Sequence, residues 1–509
     1  MSKTKKAIIF NCAILLIIAI LLLISFYQLS LVNNVKIFEK NLFIVASIFL
    51  TIITIAISNI IFFSKSITTE KVFLLTVPII CIIFMICMPM FRSHDELRHW
   101  TKAYEISTGK FVASVIDEKV QSELPTSVAN GVNKYWRNIK YGDVIKSLNN
   151  DLNENDTKLQ SMKEVALYSP VQYMPQVLGI LIAKIFTNKV IILAYMARLF
   201  NLIISVAIMY LTIKTIPYGK KVLLLLSLLP LSIEAFSSMS PDAITISVIF
   251  LFIAYVLKLK ENKEELINKK DILILSILSI IIALCKIVYI PIVFLLLLLP
   301  KEKFKTHKQK YLIIIPIITF SIIINLIWLR IANSFLSVSS QGSSATKVVD
   351  IIKNPIKYVQ ILLYTMNYYG NSYFNTLFGS VLAWGEYVKL YFIVPFTFGT
   401  LFMFESTTDK ELKEKFRKYD IIIMLLISIA VIGLIFTSLY IQWTDTEKSV
   451  LIQGIQGRYF IPIMPLVALL LSKIKIHSDY KPDNILKIIG ISSILLQIYI
   501  MLSIIIVHV

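Results

Sequence analysis

Residues 91–100 read FRSHDELRHW and follow an apolar run, VFLLTVPIICIIFMICMPM. Between Arg92 and His99 lie two arginines, two histidines, an aspartate and a glutamate. Carboxylates in such a cluster take up protons or hold a cation, and the basic groups hold anions. Ser93 with Glu96 three residues later fits a capping box, so a helix is expected to start at His94 and stop near Thr108–Gly109. Leu97, Trp100 and Tyr104 then form an apolar stripe, with Asp95, His99 and Lys102 turned toward water or a cleft. Neighbouring residues on a helix diverge by about 100°. One of Asp95 and Glu96 therefore faces a substrate while the other holds an arginine or a metal. The bland alternative is an interfacial helix whose charges are only solvated. A zincin reading is weak, because HDELRH is not H-E-x-x-H and its histidines are five apart.

Three further stretches place ionisable groups at the ends of apolar runs. Asp242, in SSMSPDAITISVIF, opens a span directly after a proline. It is either a catalytic carboxylate or a charge favoured by the helix dipole. Lys286, in ALCKIVYIP, interrupts two apolar runs, where a lysine needs an anionic partner or snorkels to the interface. Arg458, in IQGIQGRYFIPIMP, follows Gly454 and Gly457. Glycine permits close backbone approach, and the guanidinium grips phosphate with two prongs. Arg198, in YMARLFN, lies inside a span and needs a partner such as Asp242 or Glu234. Tyr369 and Trp384 stand in YVQILLYTMNYYGNSYFNTLFGSVLAWGEY, where aromatics among Asn and Gly suit either stacking on sugar rings or an interfacial belt, the belt being favoured.

The elements that carry these residues are membrane helices. The chain has 509 residues, 57% hydrophobic and 16% charged, against roughly 25% charged in soluble domains. Apolar runs recur at about 20 residues, the length needed to cross hydrocarbon, and the short alternating strands of a barrel are absent. The fold class is therefore an all-α polytopic membrane protein. About 13 spans are expected, near 7–30, 41–63, 72–91, 190–213, 222–238, 242–258, 272–285, 287–300, 311–331, 388–404, 420–440, 458–472 and 485–508. The segment 167–186, with two prolines in its first half, is expected to be interfacial or re-entrant.

The net charge of +20 comes from lysines in short loops, which is the positive-inside pattern and not a nucleic-acid surface. Loops 64–71, 214–221, 258–271, 301–310, 405–420 and 473–484 fall inside. Segments 92–166, 332–387 and 441–457, the Ser240–Asp242 turn and the tip at Lys286 fall outside. Five regions follow: a three-helix membrane segment (1–91), a first large outer loop with the acidic motif and the interfacial helix (92–187), central membrane helices (188–330), a second outer loop (331–387) and C-terminal membrane helices (388–509). The first outer loop is expected to be helical near 92–166. The N-terminal MSKTKK run precedes a first span expected to be retained, not a cleaved signal. The four cysteines show no metal or disulfide spacing.

The order of motifs resembles the bacterial membrane proteins of the domain-of-unknown-function 2142 family. These are the acidic pair Asp95–Glu96, SPVQYMP at Ser169–Pro175, ARLFN at Ala197–Asn201, SPDA at Ser240–Ala243, KIVYIP at Lys286–Pro291 and QGRYFIP at Gln456–Pro462. That family in turn resembles the C-type glycosyltransferases, which use a polyprenyl-phosphate-linked sugar and carry an acidic residue on the first large outer loop. The resemblance implies a GT-C-like fold in a bacterial plasma membrane, with the N-terminus cytoplasmic and the active site extracytoplasmic. It implies that Asp95 or Glu96, with Asp242, does the catalytic work as base or metal ligand. Lys286, Tyr289, Arg458 and Arg198 would hold the donor phosphate. His99, Tyr173, Tyr369 and Trp384 would contact the sugar or the acceptor. The expected partners are the lipid bilayer, the polyprenyl-phosphate sugar and a glycan or lipid-linked acceptor. The one cofactor this admits is a divalent cation, Mg or Mn, with Asp95 as its ligand. The familiar family form has prolines around the acidic pair where this chain reads Ser-His-Asp-Glu-Leu-Arg-His, and two extra spans precede the first outer loop. The alternatives are a flippase or exporter for lipid-linked saccharide, or a surface-polysaccharide polymerase or ligase.

Overall fold

A computed structural model of the chain describes residues 3–508 apart from 33–36, 118, 132–138, 263–264, 337–342, 384–387, 414, 446–448, 475 and 477–480. Apolar side chains leave the backbone no partner but itself in lipid, so the long apolar runs close into helices. Among the described residues eight helices are long and apolar enough to cross a membrane: Thr4–Ser30, Glu39–Phe63, Thr69–Cys87, Val190–Thr215, Asp242–Glu261, His307–Ala332, Lys418–Gln442 and Pro482–His508.

The expected 13 spans are thus not all found as such. Pro230 cannot donate an amide, and the run at 222–238 is divided into helices Lys220–Ser227 and Pro230–Ser237. The runs at 287–300 and 458–472 contain Pro291 and Pro462 and wind as 3-10 turns at Ile287–Leu298 and Gly457–Ile463, the latter continuing as helix Met464–Leu471. The runs at 272–285 and 388–404 form shorter helices, Lys269–Cys285 and Ile393–Thr408. Segment 167–186 begins with a 3-10 turn, Pro170–Tyr173, and continues as helix Met174–Lys184. Eleven helical residues rise only about 16 Å, too little to cross. Gly179 lets this helix press on Met196, whose carbonyl oxygen lies 2.3 Å from where a Cβ would stand.

The first outer loop is less helical than expected. Beside helix Glu96–Ser107 it holds a three-stranded antiparallel sheet of β1 (Ser114–Ile116), β2 (Lys119–Pro125) and β3 (Thr157–Ser161). β2 is central, with Gln121 facing both Ser114 and Ser161. Its sequence, KVQSELP, alternates in burial along part of its length, a period of two that a helix does not support. The second outer loop is mostly helix, Ser343–Lys353 and Pro355–Leu377.

Among the described residues three apolar clusters result, the smallest being Ala113, Val120, Met162, Val165 and Ala166 in the first outer loop. A large one unites the long helices. A second lies under the first outer loop and contains Trp100, Tyr104, Tyr173, Ile180 and Ala197. Charged contacts sort the connecting loops. Lys220 meets Glu70 at 2.5 Å, Lys221 meets Glu405 at 2.5 Å, and Lys260 meets Asp420 at 2.7 Å. Lys303 reaches the carbonyls of Asn262 and Glu265, and Lys473 that of Phe416. Each of these contacts joins two loops that the charge pattern assigns to one side.

Candidate functional site

The acidic helix begins later than its capping box suggests. Asp95 is the cap, with φ 57° in the left-handed region and no side-chain capping bond, and Glu96 is the first helical residue. Aspartate tolerates this backbone better than most residues. The twist throws the two neighbouring carboxylates in different directions. The helix ends at Thr108, with Gly109 at φ 86°.

Glu96 turns inward and is fully enclosed, paired with Arg198. Its Oε1 accepts from Arg198 Nε at 2.6 Å and the Met239 amide at 3.1 Å. Its Oε2 accepts from Arg198 Nη2 at 2.5 Å and the Phe91 amide at 2.9 Å. Arg198 spends its remaining donors on the carbonyls of Met85, Met88 and Pro89. Two assignments are corrected by this geometry. Arg198 pairs with Glu96, not with Asp242 or Glu234, and with its fork used inside the protein it does not face a phosphate. Glu96, for the same reason, is the buried counter-ion of Arg198.

Asp95 turns the other way. Its side chain is 35% exposed, and its Oδ2 accepts from Arg458 Nη2 at 2.5 Å. Burial works against its charge, but the Arg458 guanidinium prevails and holds the carboxyl below the usual carboxylate range. Arg458 Nη1 lies 3.7 Å from Asp242 Oδ2, and Asp242 Oδ1 accepts from Lys286 Nζ at 2.5 Å. Four residues from four distant stretches thus form one alternating chain, Asp95–Arg458–Asp242–Lys286. Lys286 Nζ stands 5.3 Å from the Tyr168 ring and 5.2 Å from the Tyr459 ring, and the Arg458 guanidinium is 5.4 Å from Tyr459. Aromatic faces at these distances stabilise cations with little hydration.

Each motif has a mechanical reason. Lys286 follows the last residue of helix Lys269–Cys285, whose terminal carbonyls lack intrahelical partners. Ser169 Oγ donates to the Leu284 carbonyl at 2.6 Å, and Gln172 Nε2 donates to that of Cys285. Asn325 Nδ2 donates to Ala283 at 2.5 Å. Asn201 Nδ2 donates to the Ser238 carbonyl at 2.6 Å and to Ala235 and Ser240 at 3.3 Å, pinning the turn that presents Asp242. At Gly457 a Cβ would stand 2.2 Å from the Leu377 amide nitrogen, so only glycine lets Arg458 come this close to helix Pro355–Leu377.

The remaining assignments fare differently. Tyr289 is buried and donates its hydroxyl to the Tyr459 carbonyl at 3.0 Å. It braces the segment that carries Arg458. His99 and Tyr173 are buried and bonded to each other, Nδ1 to hydroxyl, at 2.8 Å. They lie behind Asp95. Burial pushes the His99 imidazole down to about 4, so it is neutral at pH 7. Lys102, expected to face water or a cleft, is buried on Glu105 at 2.7 Å. Tyr369 packs against Tyr368 and Tyr373 in an aromatic row that continues to Phe436 and Phe460. Trp384 lies outside the described residues.

Sequence reasoning passed over Tyr168 and Tyr459, although both sit beside motif residues. It also passed over the pair His94 and Glu234. Glu234 Oε1 accepts from the His94 amide at 3.0 Å and the Ala383 amide at 3.3 Å, and lies 2.9 Å from His94 Nδ1. That carboxylate ties the first outer loop to the second.

A divalent cation fits this site poorly. Among the described residues no three His, Cys, Asp or Glu side chains group to hold a metal ion. Asp95 and Asp242 each already face a cationic side chain, whereas hard cations want about six or more oxygens.

No curated protein and no solved structure matches the chain. A family model described as predicted membrane protein (DUF2142) matches residues 75–467. The matched region contains both carboxylates and both cations of the ion-pair chain and most of the protein's length. With its apolar helices, its ordered motifs and this match, the protein belongs to the DUF2142 family of membrane proteins.

Proposed function

We propose that the protein is a membrane glycosyltransferase, which moves a sugar from a polyprenyl-phosphate donor to an extracytoplasmic glycan or lipid-linked acceptor. The observation that carries this reading is the convergence of Asp95, Arg458, Asp242 and Lys286, with Asp95 the most exposed of the four. Isolated charges beside lipid are costly, and a cluster holding two cations and an accessible carboxylate matches what such a transfer requires.

In this mechanism Arg458 and Lys286 bind the donor phosphate and offset the charge that develops as it leaves. The acceptor hydroxyl attacks the anomeric carbon, and the bond from that carbon to the phosphate oxygen breaks with its electron pair on the phosphate. Asp95 takes the hydroxyl proton as general base. A single displacement of this kind inverts the configuration at carbon. No step passes through a metal. The apolar helices beside the site accommodate the polyprenyl tail, and the resemblance to C-type glycosyltransferases points to the same donor class.

The test is reconstitution of the purified protein in liposomes with a panel of polyprenyl-phosphate sugars, with and without chelator. Release of free polyprenyl phosphate coupled to a glycosylated product, undiminished by chelator, is the expected result. Movement of intact lipid-linked sugar between leaflets without bond cleavage would instead establish a flippase.

A further inference from the structure

The two carboxylates of the ion-pair chain are held in different ways. Asp242 is about 10% exposed, touches both cations and is the first residue of a largely buried helix. Its amide donates to Ser240 Oγ at 3.2 Å, within the turn that Asn201 pins. Asp95 is 35% exposed and touches one cation, Arg458. It stands on a left-handed cap with no capping bond of its own. In the ligand-free chain the cations are therefore already neutralised, and an incoming anion must compete for them. Asp95, being the more exposed and held by the single contact, is the one to yield.

We infer that Asp95 is an exchangeable counter-ion: the donor phosphate takes its place on Arg458 and thereby frees it to accept the acceptor's proton, while Asp242 stays in place as a positioning residue for both cations. This rests on the reading given under Proposed function and adds an order of events. Without donor, Asp95 is bound to a guanidinium and is a poor base toward water. With donor bound, Arg458 turns its charge to the phosphate and the basicity of Asp95 rises. Proton acceptance thus follows donor binding, and a wasteful attack by water before the donor is seated is suppressed.

The two carboxylates should then respond to removal with opposite sign. Electrostatics alone makes an anion bind more tightly to either neutralised variant, since each gains one net positive charge. The positioning role reverses that sign for Asp242, because Lys286 and Arg458 lose the group that holds them together.

The test uses the full-length protein in detergent, farnesyl phosphate as the probe and farnesol as the uncharged control, with affinity and thermal stability measured on each variant. Asp95→Asn is expected to bind farnesyl phosphate about tenfold more tightly, which is about 1.4 kcal/mol, and to lose sugar transfer. Asp242→Asn is expected to bind about tenfold more weakly, with Asp242→Glu recovering part of the loss. Weaker or unchanged binding by Asp95→Asn, or tighter binding by Asp242→Asn, overturns the exchange while leaving phosphate recognition standing. Failure of the unaltered protein to prefer farnesyl phosphate over farnesol overturns the phosphate reading itself.

Discussion

The neighbouring acids Asp95 and Glu96 should fail in different ways, and Glu96→Gln shows why most clearly. The Glu96 carboxylate accepts four hydrogen bonds, two on each oxygen, from Arg198, the Phe91 amide and the Met239 amide. Glutamine keeps the shape but replaces one oxygen with an NH2 group. Whichever way that amide is turned, its nitrogen meets two donors, and the guanidinium loses its counter-charge with both side chains fully enclosed. Removing one partner of a buried pair costs about 3–5 kcal/mol, because the other charge is left uncompensated. That is a large share of the roughly 5–15 kcal/mol that holds a typical protein folded. Asp95→Asn breaks a partly exposed contact, worth about 0–1 kcal/mol. Thermal melting followed by fluorescence-detected size exclusion in detergent compares the two. Glu96→Gln should melt about 3–5 °C lower or fail to express, and Asp95→Asn should melt within about 1 °C of the unaltered protein. If Glu96→Gln melts like the unaltered protein, the buried pair is not what anchors the acidic helix, and the assignment of roles to the two acids is refuted.

Other outcomes follow from the same geometry. Burial holds His99 down to about 4 in the folded chain, against about 6.5 unfolded. Between those values the unfolded state binds the extra proton, so this group's contribution falls as pH drops from about 6.5 to about 4, by about 3 kcal/mol in all. A melting series across that window should show the slope, and His99→Gln should flatten it. Gly457→Ala puts a Cβ against the Leu377 backbone, which must displace Arg458. Phosphate binding should weaken about tenfold or more in a direct binding assay, with a smaller change in melting temperature. Arg458→Lys keeps the charge but cannot span Asp95 and Asp242 together, so it should weaken donor binding and transfer in the reconstituted assay without restoring either at higher salt.

Much of the molecule is legible in the chain. Apolar runs of bilayer length specify helices, because lipid offers backbone amides no alternative partner. The lysine-rich loops that the charge pattern assigns to one side do meet one another, as Lys220 with Glu70 and Lys260 with Asp420 show. Prolines 230, 291 and 462 sit where regular helices give way to breaks and 3-10 turns, so an apolar run of bilayer length is not always one long helix. The sheet of the first outer loop is not legible in the chain, because its strands are three to seven residues long. A two-residue period over so short a stretch is hard to separate from loop.

At the site, local context reveals which residue types stand at the ends of apolar runs: two adjacent acids, a lone aspartate, a lysine and an arginine beside glycine. An ionisable group there must find a partner, so their significance is readable from local context. The partners are set by how the helices pack. Glu96 and Arg198 are 102 residues apart, and Asp95 and Arg458 are 363 apart. No local pattern records which distant charge will be nearest once the helices pack. The direction each carboxylate takes depends on one left-handed backbone angle at Asp95, and the packing around that turn makes one acid a buried brace and leaves its neighbour at the open end of the ion-pair chain.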